Sequence, residues 1–338
     1  MRRALALAKR AWGRTSPNPL VGAVLVRGGV KVGEGWHQRA GSAHAEVHAI
    51  AAAGEQAAGS TLYVTLEPCC TYGRTPPCTT AIQQAGISRV VVGCLDANPR
   101  HAGHGIKQLR AWGIEVTTGV LEEACRDLNE GFFWWIQRRR PFVLLKLAMT
   151  LDGRIATAAG ESRWITGPAA RQRVQRWRQW ADALMVGGAT VLADNPALTV
   201  REPVAWPRQP QRCVWTSRAV PPDRAVWDDP ERPPILAKPV TQAQWVAFLA
   251  DLGQREITTL LLEGGGELAA AALRAGVVNR VAFFVAPRLL GGRGSRPVVG
   301  GADPARLDEA MSLERLRVER VGHDLLVTGY CTHVYGAD

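Results

Sequence analysis

The feature that most constrains the fold is a pattern of short apolar strands alternating with helices, which runs once and restarts after a basic break. The break is Gln137-Arg-Arg-Arg-Pro141, and a strongly apolar segment, FVLLKLAMT, follows it at 142–150. Alternation of this kind predicts a sheet covered by helices on both faces. A chain of 338 residues is also long for one ordinary domain. We therefore expect two α/β domains, residues 1–140 and residues 141–338.

Hydrophobic periodicity and the glycine and proline positions predict the elements of each half. In the first half we predict helices at 1–12, 44–54, 77–86, 105–112 and 121–136, and strands at 21–26, 30–36, 61–66, 89–95 and 114–119. In the second half we predict strands at 142–150, 181–188, 213–217, 258–266, 280–287 and 323–334, and helices at 168–180 and 267–276. The proline-rich segment 202–234 is otherwise expected to be irregular.

Charge and targeting signals limit the class of protein. The net charge is +11, from 41 basic and 30 acidic residues, but the arginines are scattered, which favours a solvated basic face over a nucleic-acid patch. The same field also suits anionic small substrates. The basic N-terminus has no cleavage site behind it, and no stretch approaches the roughly 20 apolar residues of a membrane span. We expect a cytoplasmic protein that binds neither membrane nor nucleic acid.

Cysteine placement indicates a metal site. The chain has 7 cysteines, and three of them crowd into residues 69–78. Without an export signal, such a cluster predicts metal binding before disulfides. The remaining cysteines stand in apolar segments, and we expect them to be buried thiols: Cys94, Cys125, Cys213 and Cys331.

A histidine and two cysteines have the pattern of a catalytic zinc site. His44 and Glu46 open a predicted helix, whereas Cys69 follows a predicted strand and is separated from Cys78 by eight residues. One imidazole and two thiolates leave the fourth tetrahedral position open for water. Zinc lowers the pKa of that water toward ~7, which makes hydroxide available at neutral pH. Glu46 can then move a proton from the water to a departing amine.

The pattern H-x-E followed by P-C-x-x-C is typical of zinc nucleobase deaminases, although the second half is stretched here. The alternative is a closed structural zinc site with Cys70 as its fourth ligand. That alternative is disfavoured because adjacent cysteines bind one tetrahedral ion awkwardly and Glu46 would have no role.

Four segments of the first half resemble the deaminase half of the bifunctional riboflavin-biosynthesis deaminase/reductases: PNPLVGAVLV, GEGWHQRAGSAHAEVHAI, YVTLEPC and GRTPPCTTAI. The resemblance, which includes the stretched cysteine spacing, implies zinc ligands His44, Cys69 and Cys78 and a catalytic Glu46. It also implies substrate contacts from Asn18, His37, Arg74, Asp96 and Asn98. The chain departs from the family at Cys70-Thr71, where Ser-His is usual, so a substrate-side histidine is absent.

Glycines after strands are the main signal in the second half. Glu263-Gly-Gly-Gly266 precedes a predicted helix, and backbone amides at such a helix start suit a phosphate or pyrophosphate. The pair at 187–188 is a weaker case, and none of these segments is a Rossmann G-x-G-x-x-G fingerprint. From spacing alone, a nucleotide site and ordinary turns remain equally open.

The second half resembles the reductase half of the same family in KLAMTLDGRIA, GESRWITG, DALMVGGATVLADNPALTVR and LLLEGGGEL. The resemblance implies NADPH contacts at Ala148, Trp164, Thr190, Asp194, Ser217, Gly265, Gly266, Glu267, Leu268, Ala269, Ala270 and Ala271. It implies substrate contacts at Ser162, Arg178, Leu198, Arg201 and Glu263. Asp194 is the candidate for handling a proton during reduction, and Ser217 beside Arg218 for holding the 2′-phosphate of NADPH.

Over nearly the whole chain the resemblance implies a cytidine-deaminase-like three-layer α/β/α domain followed by a dihydrofolate-reductase-like α/β domain. The expected activity is zinc-dependent deamination of a phosphoribosylated diaminopyrimidine, followed by NADPH reduction of the ribosyl group of the product to ribityl. A homo-oligomer is also expected. The alternatives are a base deaminase acting on tRNA or single-stranded DNA, which needs stacking aromatics in a basic groove, and an inactive zinc-binding module.

Overall fold

The chain folds into two compact units, Met1–Arg139 and Arg140–Asp338. The computed structural model describes residues 1–72 and 76–331. Each unit is built around its own sheet, and the division falls one residue from the boundary expected after residue 140.

The described part of the first unit, residues 1–72 and 76–139, has one sheet of five strands in the order β2-β1-β3-β4-β5. Strand β1 runs antiparallel to β2 and β3, whereas β3, β4 and β5 are parallel. The strands are β1 (Gly22–Arg27), β2 (Val30–Trp36), β3 (Thr61–Leu66), β4 (Arg89–Cys94) and β5 (Glu115–Thr117). The helices are α1 (Arg2–Ala8), α2 (Ala45–Ala53), α3 (Cys78–Gln84), α4 (His104–Ala111), α5 (Glu122–Leu128) and α6 (Glu130–Arg138).

Alternation along β1 places helices on both faces of this sheet. Val24 packs with Ala4 and Leu7 of α1, whereas Leu25 belongs to the core that contains Ala49 of α2. Successive side chains of a strand point to opposite faces, so one strand can serve both cores. The first unit is therefore a three-layer α/β/α structure.

The helix predicted at 121–136 is wrong as one element, because Asn129 separates α5 from α6. The Asn129 side chain is buried, accepting a hydrogen bond from Leu20 N at 2.7 Å and donating one to Leu20 O at 2.9 Å. An asparagine that pairs with a distant backbone competes with continued helix at its own position.

Within residues 140–331, the second unit has eight strands in one sheet, in the order β10-β9-β8-β11-β6-β12-β15-β14, and β7 pairs with β13 in a separate ladder. Neighbouring strands are parallel from β10 to β12, whereas β15 runs antiparallel to both of its neighbours, β12 and β14. The strands are β6 (Phe142–Thr150), β7 (Arg154–Ala156), β8 (Ala183–Gly187), β9 (Gln211–Trp215), β10 (Ile235–Ala237), β11 (Thr259–Glu263), β12 (Arg280–Ala286), β13 (Arg296–Pro297), β14 (Leu313–Val321) and β15 (Asp324–Cys331). The helices are α7 (Pro168–Trp180), α8 (Gly188–Asp194), α9 (Gln242–Gln254) and α10 (Gly266–Arg274).

Both faces of this sheet are also covered. Leu145 of β6 packs in a core with Trp245 of α9 and Ala269 of α10, whereas its neighbour Leu144 packs with Val174 of α7. The four cysteines expected to be buried thiols are buried and free in the two units.

The sequence prediction lacks six helices and strands that the described residues of the second unit contain, namely β7, α8, β10, α9, β13 and β14. Strand β14 is rich in charged residues and has only a short alternation at Leu316 and Val318, and residues 313–320 are all exposed, so it lacks the buried apolar face by which a strand is usually predicted. Helix α9 begins at a capping box in which the Thr241 hydroxyl and the Gln244 side chain each bind the other residue's backbone N–H. Through the described part of the chain, every helix is too short or too polar to cross a membrane.

Candidate active sites of the two units

Two helix starts and one loop bring the predicted metal ligands together in the first unit. His44 is the N-cap of α2, Cys78 is the first residue of α3, and Cys69 lies in the loop after β3. His44 Nδ1 lies 3.2 Å from Cys78 Sγ and 3.5 Å from Cys69 Sγ. The three ligand atoms all lie within 4.8 Å of one another.

This donor set fits zinc. An imidazole and two sulfur ligands are the soft and borderline donors that zinc takes in a tetrahedral site. A hydrogen bond from Cys78, opposed by burial and aided by His44, lowers the pKa of Cys69 to about 4, so one thiolate is already favoured. Cys70 lies outside this group; its sulfur is 3.7 Å from His101 Nδ1. The three clustered residues thus leave a fourth position for water.

Glu46 is placed beside the ligands by the first turn of α2. It is 3% exposed, and burial raises its pKa to about 7. A hydrogen bond links its side chain to Cys78. A buried carboxyl group at this position has the reach and the environment of a proton carrier.

Asn18 and His37 extend the site on the side of His44. Asn18 Nδ2 lies 3.1 Å from His37 Nε2, and His37 Nδ1 lies 3.1 Å from the carbonyl oxygen of Ala43. The His37 and His44 rings meet edge to face with centroids 5.3 Å apart. Burial lowers the pKa of His37, which favours its neutral form.

Asp96 and Asn98 lie on the loop between β4 and α4. Asp96 is 8% exposed, and burial raises its pKa to about 6. Asn98 N donates to Asp96 Oδ1 at 2.8 Å, and Asn98 Oδ1 accepts from Arg100 N at 3.1 Å. A charge on Cys69 adds to the rise in the pKa of Asp96, so the two groups are close enough to interact electrostatically. The predicted substrate residue Arg74 lies outside the described residues.

A buried ion cluster lies at the carboxyl end of β11 in the second unit. Arg178 Nε and Nη2 donate to the two oxygens of Glu263 at 2.7 and 2.9 Å. Burial alone would raise the pKa of Glu263, but the charges of Arg178, Lys146 and Arg201 hold that pKa below its ordinary value. Burial lowers the pKa of Lys146, opposed by the charge of Glu263. Lys146 lies beside Glu263 because the register of the parallel strands pairs Glu263 of β11 with Lys146 of β6.

The glycines after β11 lie against Thr190 of α8. A Cβ on Gly264 or Gly265 would come within 3.8 or 3.6 Å of Thr190 Oγ1, and both glycines have positive φ. Gly265 is the N-cap of α10, so the first-turn amides of that helix lie just beyond it. The side chains of Leu268, Ala269 and Ala270 are buried in the core, which leaves the backbone as the surface that this turn offers.

Ser162 and Trp164 line a cavity of about 220 Å³ together with Thr150, Arg154 and Arg288. The Trp164 ring is 60% exposed, and the Arg171 guanidinium lies 4.6 Å from its centroid. Asp194 ends α8, and its carboxylate lies 3.2 Å from Arg163 Nη2.

The other predicted residues of this unit are more scattered. Ala148 lies on β6, Ser217 is exposed two residues after β9, and Leu198 is buried at 2% exposure with φ of 52°. The Arg201 backbone N–H donates to Gln175 Oε1 at 3.0 Å.

Sequence reasoning missed Lys146 and Glu67. A lysine inside the otherwise apolar run FVLLKLAMT was the available signal for Lys146. Glu67 stands in the quoted YVTLEPC segment, but only its contacts with residues about 30 to 40 positions away reveal what it does.

Comparison with known proteins covers both units. Residues 1–94 match the family model of the cytidine and deoxycytidylate deaminase zinc-binding region, and residues 141–327 match the RibD C-terminal domain. The riboflavin biosynthesis protein RibD of Actinobacillus pleuropneumoniae is 44% identical over 352 residues, covering 97% of this chain and 93% of that protein. RibD of Escherichia coli strain K12 is 40% identical over 369 residues, covering 100% of this chain and 98% of that protein.

Solved structures agree with this match. Acinetobacter baumannii RibD, form 1, has a TM-score of 0.88 and 39% identity, covering 98% of this chain and 97% of that chain. The Thermotoga maritima diaminohydroxyphosphoribosylaminopyrimidine deaminase/5-amino-6-(5-phosphoribosylamino)uracil reductase has a TM-score of 0.85 and 35% identity, with the same coverage.

Proposed function

The chain belongs to the RibD family of riboflavin biosynthesis proteins, and we propose that each of its two units carries one of that family's two reactions. The expected fold class, a cytidine-deaminase-like α/β/α domain before a dihydrofolate-reductase-like α/β domain, is confirmed. The protein is a bifunctional enzyme, a hydrolytic deaminase and a reductase. Residues 1–140 form the deaminase domain and residues 141–338 the reductase domain in this proposal. The observation that carries it is the cluster of His44, Cys69 and Cys78 with Glu46 beside it.

In the deaminase unit, His44, Cys69 and Cys78 would hold zinc. When bound, zinc supplies a Lewis acid that lowers the pKa of water toward ~7. Glu46 takes a proton from the attacking water and delivers it to the amino group that leaves as ammonia. This carboxyl group is buried, so bulk solvent does not compete for the proton.

The substrate of this unit is a small phosphorylated pyrimidine, diaminohydroxyphosphoribosylaminopyrimidine. Asn18, His37, Asp96 and Asn98 are proposed to offer hydrogen-bonding groups to the substrate beside the ligand cluster. These groups suit a base with several amino and carbonyl positions, and a site built to pair with them rejects analogues that lack them.

In the reductase unit, the glycine turn at 264–265, Thr190 and the first-turn amides of α10 fit a dinucleotide phosphate, because the glycines leave the backbone uncovered. These groups would hold NADPH, which when bound would supply the hydride that reduces the ribosyl carbon of 5-amino-6-(5-phosphoribosylamino)uracil. Trp164 and Ser217 are proposed to complete the cofactor site, whereas Arg178, Arg201 and Ser162 hold the substrate phosphate or ribose.

Opening the ribosyl ring leaves an oxygen that must receive a proton to become the ribityl hydroxyl. Asp194 and Lys146 are the proposed donors. Lys146 is half-buried beside Glu263, and the loss of solvation there lowers its pKa, which favours Lys146 as the donor.

We propose that a second copy of this chain pairs along β14, the edge strand of the eight-stranded sheet. Leu316 and Val318 are 59% and 60% exposed, and acidic and basic side chains alternate with them, so two copies can pair without like charges facing. Val318→Lys should then give a 36.6 kDa monomer by light scattering, whereas Val240→Lys, exposed to 62% elsewhere, should leave the assembly intact. A monomeric parent protein would exclude this interface.

The seven cysteines are all outside disulfides, which favours a reducing compartment, so we propose the cytoplasm as the site of action. We propose no role for nucleic acid, because a small-molecule substrate accounts for the site.

The decisive experiment incubates the zinc-loaded protein with diaminohydroxyphosphoribosylaminopyrimidine, with and without NADPH, and identifies the products by mass spectrometry. Without NADPH we expect ammonia and the aminouracil, and with NADPH the ribityl product and NADP⁺. Failure to release ammonia excludes the deaminase assignment, and failure to consume NADPH when the aminouracil is supplied excludes the reductase assignment.

A further inference from the structure

Glu67 is a buried carboxylate in the deaminase unit that the proposed reaction does not use. It is 3% exposed and lies two residues before Cys69. Its Oε2 accepts hydrogen bonds from Gly103 N at 2.9 Å and Asp96 N at 3.2 Å. Its Oε1 accepts from Gly105 N at 3.0 Å and Ile106 N at 3.3 Å. One side chain thus binds four backbone amides, all more than 28 residues away along the chain.

Three of these amides belong to the start of α4. Gly103 is the N-cap of that helix, and its cap makes no side-chain hydrogen bond of its own. First-turn N–H groups have no partner within a helix, so Glu67 acts as the cap from another part of the chain. A negative charge at a helix N-terminus is also stabilised by the helix dipole.

Close packing makes this arrangement specific. A Cβ on Gly105 would lie 2.3 Å from the carbonyl oxygen of Pro68. The start of α4 therefore rests directly on the backbone that leads into the ligand Cys69, and only glycine allows that approach.

The fourth amide, Asp96 N, lies at the other end of the same loop. Between these two attachments the loop carries Asp96 and Asn98, joined by the Asn98 N to Asp96 Oδ1 hydrogen bond. His101 N closes the next turn by donating to the Asn98 carbonyl oxygen at 2.8 Å. Loosening either end would therefore displace the two side chains assigned to the substrate.

We propose that Glu67 is a positioning residue for deamination: its carboxylate holds both ends of the 96–103 loop and so sets Asp96 and Asn98 against the substrate. The inference rests on the proposed deaminase function. Glu67 acts on substrate binding, whereas Glu46 and the metal ligands act on the chemical step.

Glu67→Gln tests this directly. The amide keeps one acceptor oxygen and places two N–H donors against backbone donors, so half of the attachments are lost at nearly constant volume. We expect the KM for deamination to rise roughly ten- to hundredfold, with kcat within about threefold of the parent enzyme. Glu67→Asp keeps the charge on a shorter side chain and should give an intermediate KM. Glu55→Gln, an exposed change in the same unit, is the matched control and should have the parental KM.

Three further measurements on the full-length holoenzyme separate positioning from general damage. Zinc content should remain that of the parent, and reductase activity, measured in the same molecules, should be unchanged. Hydrogen–deuterium exchange should accelerate in residues 95–106 and stay constant in 61–66. If Glu67→Gln loses zinc, Glu67→Asp decides: a raised KM at full zinc content supports the inference, and a parental KM overturns it.

Two other outcomes overturn the inference. Parental kinetics in a zinc-loaded Glu67→Gln protein would show that the loop does not depend on this carboxylate. A loss of kcat at constant KM would place Glu67 in the chemical step. The parent enzyme is assayed first, so that absence of ammonia release there counts against the proposed function and not against Glu67.

Discussion

Replacing Glu263 by glutamine tests whether the stability of the reductase unit depends on the negative charge of this one side chain in the ion cluster. The Arg178 and Glu263 side chains are only 12% and 8% exposed, and their two hydrogen bonds measure 2.7 and 2.9 Å. Lys146 is the register partner of Glu263 on the next strand. Glutamine keeps the shape but removes the charge that compensates two buried cations.

The magnitude follows from that burial. Removing one partner of a buried ion pair costs about 3–5 kcal/mol, because the other charge stays desolvated and uncompensated. For a unit of this size, each kcal/mol lowers Tm by about 2–4 °C, so we expect the unfolding transition of the second unit to fall by about 6–20 °C. Reductase activity should fall as well, because the same groups are proposed to hold the substrate.

Differential scanning calorimetry of the full chain measures the effect, with Asp251→Asn as the control. Asp251 pairs with Arg255 at 3.0 Å, in the same unit, but these side chains are 50% and 56% exposed. Exposed pairs contribute roughly 0–1 kcal/mol, so this control should barely move the transition. Equal, small shifts for the two variants would refute the reasoning from burial.

The pH dependence of the same transition gives an independent check. The folded-state pKa of Glu263 lies below its ordinary value of 4.5, because Arg178 and its neighbours stabilise the carboxylate. Its contribution to the free energy of unfolding is therefore present above the ordinary pKa and is lost as the pH falls through the lower folded value. In Glu263→Gln, this part of the acid destabilisation should be missing.

Three further changes test other parts of the molecule. Glu46→Gln should keep its zinc, as measured by elemental analysis, but release ammonia about 10²–10⁴-fold more slowly, because the group that carries the proton is gone. An unchanged rate of ammonia release would rule out this role for Glu46. Cys78→Ser should lower zinc content and ammonia release together while NADPH oxidation with the aminouracil persists, and a parallel loss of reduction would contradict separate sites. Asn129→Leu should lower the unfolding temperature of the first unit, because each Leu20 backbone group left unpaired costs roughly 1–3 kcal/mol; an unchanged transition in calorimetry would show that water replaces those bonds.

Helices and strands with local signals could be predicted from the amino-acid sequence alone. The apolar runs of β3, β4, β6 and β11 are readable without tertiary contacts, as are the glycines at 54, 86 and 276 that end three predicted helices. Histidine, glutamate and cysteine at motif spacing likewise predicted the zinc ligands, because ligand chemistry depends on residue type and on which helix or strand precedes it.

Contacts between residues far apart in the chain could be read only from the folded structure. Strand order makes β6 the neighbour of β11, and register then sets Lys146 opposite Glu263. Glu67 caps a helix that begins about 36 residues later, and Asn129 divides a helix by binding Leu20 109 residues away. No local pattern encodes such partners, because a buried polar group takes whichever backbone or charge the packing brings within about 3 Å of it.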